Sequence, residues 1–106
     1  MSDGPLVTVA SAQLAPVFGD AAESLARIDL AIRTAAGRGA HIVVMPELAN
    51  CGYMFADVDE LRAAAQTLDG PYLRYLAEVA LEFGIVIVSG FAERTANGEL
   101  YNSAVI

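Results

Sequence analysis

Lysine is absent from this chain, cysteine and histidine occur once each, and the only cations are six arginines set against thirteen acidic residues. Each shortage closes off a class of function. Without lysine there is no side-chain ammonium group to stabilise a developing negative charge. A coding preference for alanine and arginine accounts for the absence without softening that chemical consequence. A single cysteine, Cys51, excludes an internal disulfide and fits a reducing compartment. One histidine with one cysteine falls short of the ligands a metal site gathers, and neither a metal nor a cofactor is expected. The net charge of -7 repels phosphate backbones and anionic membrane surfaces, so nucleic acid and membrane are not expected partners. No apolar run approaches the roughly 18 residues of a membrane span. The opening segment Met1-Ser2-Asp3-Gly4-Pro5 carries acid where a signal peptide carries base, which makes the cytoplasm the expected location.

What the chain does contain is a globular composition, 56% hydrophobic and 18% charged over 106 residues, enough for one domain with a modest core. Leu6 to Gln13 is short, β-branched and apolar, the pattern of a buried strand, closed by Pro16 and Gly19. Asp20 is placed to cap a helix with Glu23 three residues on, and Leu25, Ile28, Ile32 and Ala35 recur at helical spacing before Gly37 and Gly39. His41 to Met45 is a continuous apolar run, as in strands covered on both faces, and Pro46 ends it because proline donates no ladder hydrogen bond. Val58, Leu61, Ala65 and Leu68 mark a second helix. Gly70-Pro71 starts a third, with a stripe of Leu73, Leu76, Ala77, Ala80 and Leu81 stopped by Gly84. Ile85 to Val88 reads as a further buried strand, and Gly90 to Arg94 with Leu100 to Ile106 as a hairpin around Asn97-Gly98. Strands alternating with helices predict an α/β arrangement with a largely parallel sheet.

Ligand sites in open α/β sheets lie beyond the carboxyl ends of the strands, which is where Glu47 falls. On position alone, a solvated loop acid or a local hydrogen-bond acceptor is the commoner fate of such a carboxylate. Its surroundings add to that. The segment HIVVMPELANCGY resembles the motif around the catalytic glutamate of the nitrilase superfamily of carbon-nitrogen hydrolases: apolar strand, Pro-Glu, then a loop ending Gly-Tyr. VTVASAQLAPVFGD is similar to the family's first strand and its exit, GIVIVSGFAER to a central strand, and LYNSAVI to the strand before the family's lysine region. The resemblance covers nearly the whole chain.

It implies an αββα sandwich of mostly parallel strands with helices packed on the sheet, and a cysteine-glutamate-lysine mechanism acting on a non-peptide amide, nitrile or carbamoyl bond. In such enzymes a cysteine thiolate attacks the carbon, a lysine stabilises the resulting charge, and the glutamate takes the thiol proton and later activates water. Carried onto this sequence, only the base has a counterpart, Glu47. The family's lysine is expected shortly beyond Ile106 and its nucleophile further on. Residues 1–106 are therefore expected to be the incomplete amino-terminal portion of the domain, inactive alone.

Cys51, four residues past Glu47, matches a variable loop position of the family, and a buried small hydrophobe is the commoner role of a free cysteine. His41 opens its strand at a distance from that loop, and a structural role outweighs a thiol-imidazole pair. Tyr53 and Phe55 follow the glutamate loop, with Tyr53 the candidate for lining a substrate pocket against the alternative of packing on the scaffold. For Tyr101 and Asn102, turn capping or core hydrogen bonding stands level with a site role. Gly37 and Gly39 form no dinucleotide-binding loop. The rival readings are a non-catalytic half-domain or interaction module, associating through an exposed sheet edge, and one half of a split enzyme. Expected partners are a small amide or nitrile substrate and either a second copy or a complementing chain.

Overall fold

Two apolar segments, β1 (Val9–Ser11) and β2 (Ile42–Val44), lie side by side as parallel strands in a computed structural model that describes residues 4–106. β3 (Val86–Arg94) continues the parallel set, with Val43 opposite Ile87, and β4 (Leu100–Val105) returns antiparallel along it. The sheet order is β1-β2-β3-β4. The chain is thus an α/β fold whose mixed, mostly parallel sheet carries helices, consistent with the nitrilase-type αββα sandwich.

The first crossover is α1 (Ala21–Gly37), opened by Asp20, whose carboxylate accepts from the Glu23 amide at 2.9 Å. Glu23 does not reach back to complete the box; it pairs with Arg27 at 3.3 Å instead. The second crossover holds α2 (Val58–Ala64) and α3 (Pro71–Phe83). Pro71 gives α3 its preset first turn, and Gly84, at φ 62°, ends it in the left-handed conformation.

Ile28 and Ile32 of α1 and Tyr72, Leu76 and Val79 of α3 pack in one cluster with Val43, Ile87 and Phe91 of the sheet. Burying each such side chain is worth roughly 1.5–3 kcal/mol, and this layer supplies most of the apolar stabilisation. Within it, the Tyr72 hydroxyl and Ser89 Oγ meet at 2.8 Å, so two buried hydroxyls satisfy each other. Asp29 gathers the Tyr75 hydroxyl and Arg33, tying α1 to α3 on their outer side.

Several sequence expectations need correction. β2 is covered on one face only: Val43 is fully buried while Ile42 and Val44 are half-buried, because both long helices pack on the same side of the sheet. The expected buried strand over Leu6 to Gln13 shrinks to an edge strand with Leu6, Val7 and Val9 exposed. The second helix stops before Leu68, because Gln66 turns into an isolated parallel bridge with Glu93, its amide donating to Ala92 O at 2.8 Å. On α3 the stripe is rotated: Leu81 is 85% exposed, and Tyr72 and Val79 take the inward positions. The strand expected over Ile85 to Val88 runs on without interruption into the hairpin.

Candidate active site

The chain leaves β2 through a last ladder bond, Met45 N to Val88 O at 2.7 Å, and Pro46 then has no amide to extend it. The backbone does not turn away into solvent. It lies down across β3 at Gly90, where a β-carbon would come within 2.6 Å of Glu47 Cα and 3.0 Å of both Leu48 N and Pro46 O. Only a glycine leaves room for this crossing. Ala49 N then bonds Gly90 O at 3.2 Å. Leu48 adopts φ 47°, a left-handed conformation unfavourable for its branched side chain, and this strain sits directly beside Glu47. In return, Leu48 O accepts from Cys51 N at 3.1 Å and Gly52 N at 2.8 Å, closing the turn, with Gly52 itself at φ 81°.

Asn50 locks the loop from beneath. Its Nδ2 donates to Ala64 O at 3.2 Å, at the end of α2, and its Oδ1 accepts from Ala92 N at 3.0 Å, in β3. One side-chain amide therefore joins loop, helix and sheet, and satisfies a carbonyl at the end of α2 and an amide of β3.

Held this way, the Glu47 carboxylate is exposed on the sheet face opposite α1 and α3. Tyr53 Oη donates to its Oε2 at 3.0 Å, and Asn102 Nδ2, arriving from β4, donates to its Oε1. Desolvation first, and then the hydrogen bond to and the charge of Glu47, hold the Tyr53 phenol above its ordinary value, so it serves as a protonated donor. A hollow of about 380 Å³ opens beside the carboxylate, lined by Met45, Val88, Gly90, Asn102, Ser103 and Ala104. Two donors leave a carboxylate with unused lone pairs, so this one can still accept a proton or orient a water.

Glu47 and Tyr53 are thus brought together. Cys51 is not among them: its side chain is buried with Ala65 and Ala92, and burial, partly offset by a hydrogen bond with the Ala92 backbone, pushes the thiol up to about 11. A thiol so placed is a poor nucleophile near neutrality. His41 lies at the start of β2, where its Nδ1 accepts from Thr8 N at 2.9 Å and its amide donates to Thr8 O at 2.8 Å, a fastening of β1 to β2. Phe55 packs edge-on against Phe18 with centroids 5.6 Å apart. The Tyr101 hydroxyl bonds Glu99, next to the hairpin turn. Of Tyr101 and Asn102, whose roles sequence reasoning left undecided, it is Asn102 that reaches Glu47.

A second hollow, of about 390 Å³, lies between the amino-terminal end of α1 and α2, against Phe18, Cys51 and Phe55. It is marginally the larger. Its polar side chains, however, are engaged in holding the backbone: Asp20 to Glu23 N, Glu60 to Ala56 N and Gln66 to Tyr72 N. The Glu47 hollow is the stronger candidate, because its carboxylate is held by side chains and is not spent on backbone amides. Among the described residues no three or more of His, Cys, Asp or Glu are grouped to hold a metal, and no helix is long and apolar enough to cross a membrane.

A half-covered α/β sheet with a clamped glutamate past its second strand defines a class, and comparison with known proteins agrees. The model of the carbon-nitrogen hydrolase family matches residues 8–106, and the chain belongs to that family, within the nitrilase superfamily. It is 35% identical to a nitrilase of Pyrococcus abyssi over 102 residues, covering 95% of this chain and 38% of that protein. It is 37% identical to a glutamine-dependent NAD(+) synthetase of Synechocystis, covering 95% of this chain and 19% of the other. The chain therefore spans well under half the length of these relatives. Among solved structures, Nit3 of Saccharomyces cerevisiae, a member of branch 10 of the nitrilase superfamily, superposes with a TM-score of 0.81 at 24% identity, over 92% of this chain and 38% of that one. An N-terminal amidase, solved also with a Gln-Val peptide, gives a TM-score of 0.78 at 24% identity, over 92% and 24% respectively. At these identities the structural likeness speaks for the fold.

Proposed function

We propose that Glu47 is the general base of a carbon-nitrogen hydrolase reaction, and that this chain supplies the base to a cysteine-glutamate-lysine mechanism whose other two groups lie outside residues 1–106. The observation that carries the reading is the clamp: a carboxylate beyond the carboxyl end of a strand, strained into place beside Leu48 and facing a hollow of about 380 Å³. In the reaction, Glu47 accepts the proton of a cysteine thiol as the sulfur bonds to the carbon of an amide, nitrile or carbamoyl group. A lysine ammonium stabilises the charge that builds on the substrate; with an amide or carbamoyl group Glu47 passes its proton to the departing ammonia or amine, whereas the thioimidate formed from a nitrile takes up a water before ammonia departs. Glu47 then takes a proton from water, whose oxygen attacks the thioester, releasing the acid and returning the thiol. Tyr53, 63% exposed, does not line the hollow itself; it serves this reading through its hydroxyl on Glu47.

Ammonia release from a panel of amides and nitriles tests the proposal, with the chain alone and together with a polypeptide bearing the lysine and cysteine regions. Turnover is expected only in the second case, and Glu47→Gln is expected to lower it by about 10²–10⁴-fold. Turnover by the chain alone, or turnover indifferent to Glu47→Gln, contradicts the assignment.

A second reading has its own support. Val9 and Val86 are 57% and 45% exposed on the sheet face that carries Glu47, with Ile42, Val44 and Val88 only half-buried beside them. Such a face favours association, either as an interaction module or half-domain pairing with another copy, or as one half of a split enzyme with its complementing chain. Gel filtration that returns a stable monomer with and without the second polypeptide goes against association of either kind.

A further inference from the structure

We infer that Asn102 is a positioning residue for Glu47: by donating to Oε1 it fixes the carboxylate plane and leaves Oε2 as the atom that receives the proton. The inference rests on the reading of Glu47 as a base and adds to it a division of labour between the two carboxylate oxygens. It begins with β4, which pairs with β3 so that Asn102 stands opposite Ala92 and Ala104 opposite Gly90. Side chains two apart along a strand share a face, so Asn102 projects from the side of the sheet on which the backbone of Glu47 rests against Gly90. One hairpin therefore holds Glu47 at both ends, its Cα by close contact with Gly90 and its Oε1 by the Asn102 amide.

The two donors differ in kind. Asn102 is carried by a paired strand, and a side-chain amide neither gains nor loses a proton in the working range of an enzyme, so its bond to Oε1 is a fixed anchor. Tyr53 sits in the loop beyond Gly52, is 63% exposed, and can swing its hydroxyl away by rotation about its own bonds. When an incoming thiol or water approaches, Oε2 is the oxygen that exchanges partners while Oε1 stays held. Orientation of a reacting group is worth a great deal, since a misplacement of about 1 Å costs roughly a hundredfold in rate.

Nuclear magnetic resonance on the isotopically labelled 106-residue chain tests this directly. The Asn102 side-chain amide is expected to show one proton shifted downfield of the exposed Asn97 amide, and Glu47→Ala is expected to return it to the Asn97 position. The Glu47 methylene couplings are expected to report a single rotamer in the parent and in Tyr53→Phe, but an averaged one in Asn102→Leu. Val86→Thr, an exposed change on the same face outside the hollow, is expected to leave both signals alone. A merely structural asparagine would disturb backbone shifts along β3 and β4 without releasing the Glu47 side chain. Persistence of a single Glu47 rotamer in Asn102→Leu overturns the inference. If Asn102→Leu does not fold, the amide signal decides, and an Asn102 amide unmoved by Glu47→Ala overturns it equally. The base assignment fails by a separate route, through turnover that survives Glu47→Gln.

Discussion

Gly90 and Glu47 meet backbone to backbone: a β-carbon on Gly90 would stand 2.6 Å from Glu47 Cα, with no flexible side chain between them to yield. Gly90→Ala is therefore expected to lift the 46–49 crossing off β3 or to strain it, at a cost of about 1–3 kcal/mol. Urea denaturation measures the loss, and the Ala49 amide, bonded to Gly90 O, should exchange faster with solvent. Unchanged stability together with unchanged exchange means that the two backbones are not in close contact at Gly90.

Asn50 is expected to matter for stability rather than chemistry. Asn50→Leu removes a donor to Ala64 O and an acceptor for Ala92 N, leaving both backbone groups short of a partner. A destabilisation of about 1–3 kcal/mol is expected, with Asn50→Asp, which keeps only the acceptor, falling between Leu and the parent. Equal effects from the two substitutions speak against the bridging role.

Cys51 should behave as an inert core group. Its thiol, ordinarily near 9.0, is raised to about 11 by burial, so the folded state holds the proton more tightly than the unfolded one. The contribution to stability is then fully present below pH 9.0 and is lost as pH rises through about 11. Tyr72, raised to about 12 by burial, acts with the same sign, so the comparison is with Cys51→Ala, whose stability should fall less steeply over that interval. Thiol labelling at neutral pH should be slow until the chain is unfolded. Rapid labelling of the folded chain argues for a reactive cysteine after all.

Tyr72 and Ser89 form a buried hydroxyl pair and should show coupling. Ser89→Ala leaves the tyrosine hydroxyl unpaired, at a cost of about 1–3 kcal/mol, whereas Tyr72→Phe should cost less, because Ser89 Oγ still donates to Gly90 O at 2.9 Å. The double variant is expected to lose less than the two losses added together. Strict additivity means that each hydroxyl finds another partner.

Local pattern made much of this fold readable. Asp20, Pro46, Pro71 and Gly84 act through their own backbone and side-chain chemistry, so they delimit elements whatever surrounds them, and each stands where that chemistry puts it. The residues that misled are those whose surroundings are set at long range. A run such as Ile42–Val44 carries no record of which face the helices will cover, and Leu81 matches the α3 period as well as Val79 does until the helix is docked. The site divides in the same way. Glu47 stands out through the Pro-Glu segment it shares with a family pattern, and Tyr53 through the loop that follows. Asn102 lies 55 residues from Glu47, and only the pairing of β4 with β3 brings its amide to the carboxylate.

That separation sets an order of assembly. As the chain emerges from the ribosome, Glu47 and Tyr53 are available long before β4 exists, and the carboxylate has only a mobile phenol for company. Its second donor arrives only when β4 pairs with β3. The geometry of the base is therefore fixed only once β4 has been made, so a nascent chain holds the acid well before it holds the acid in place.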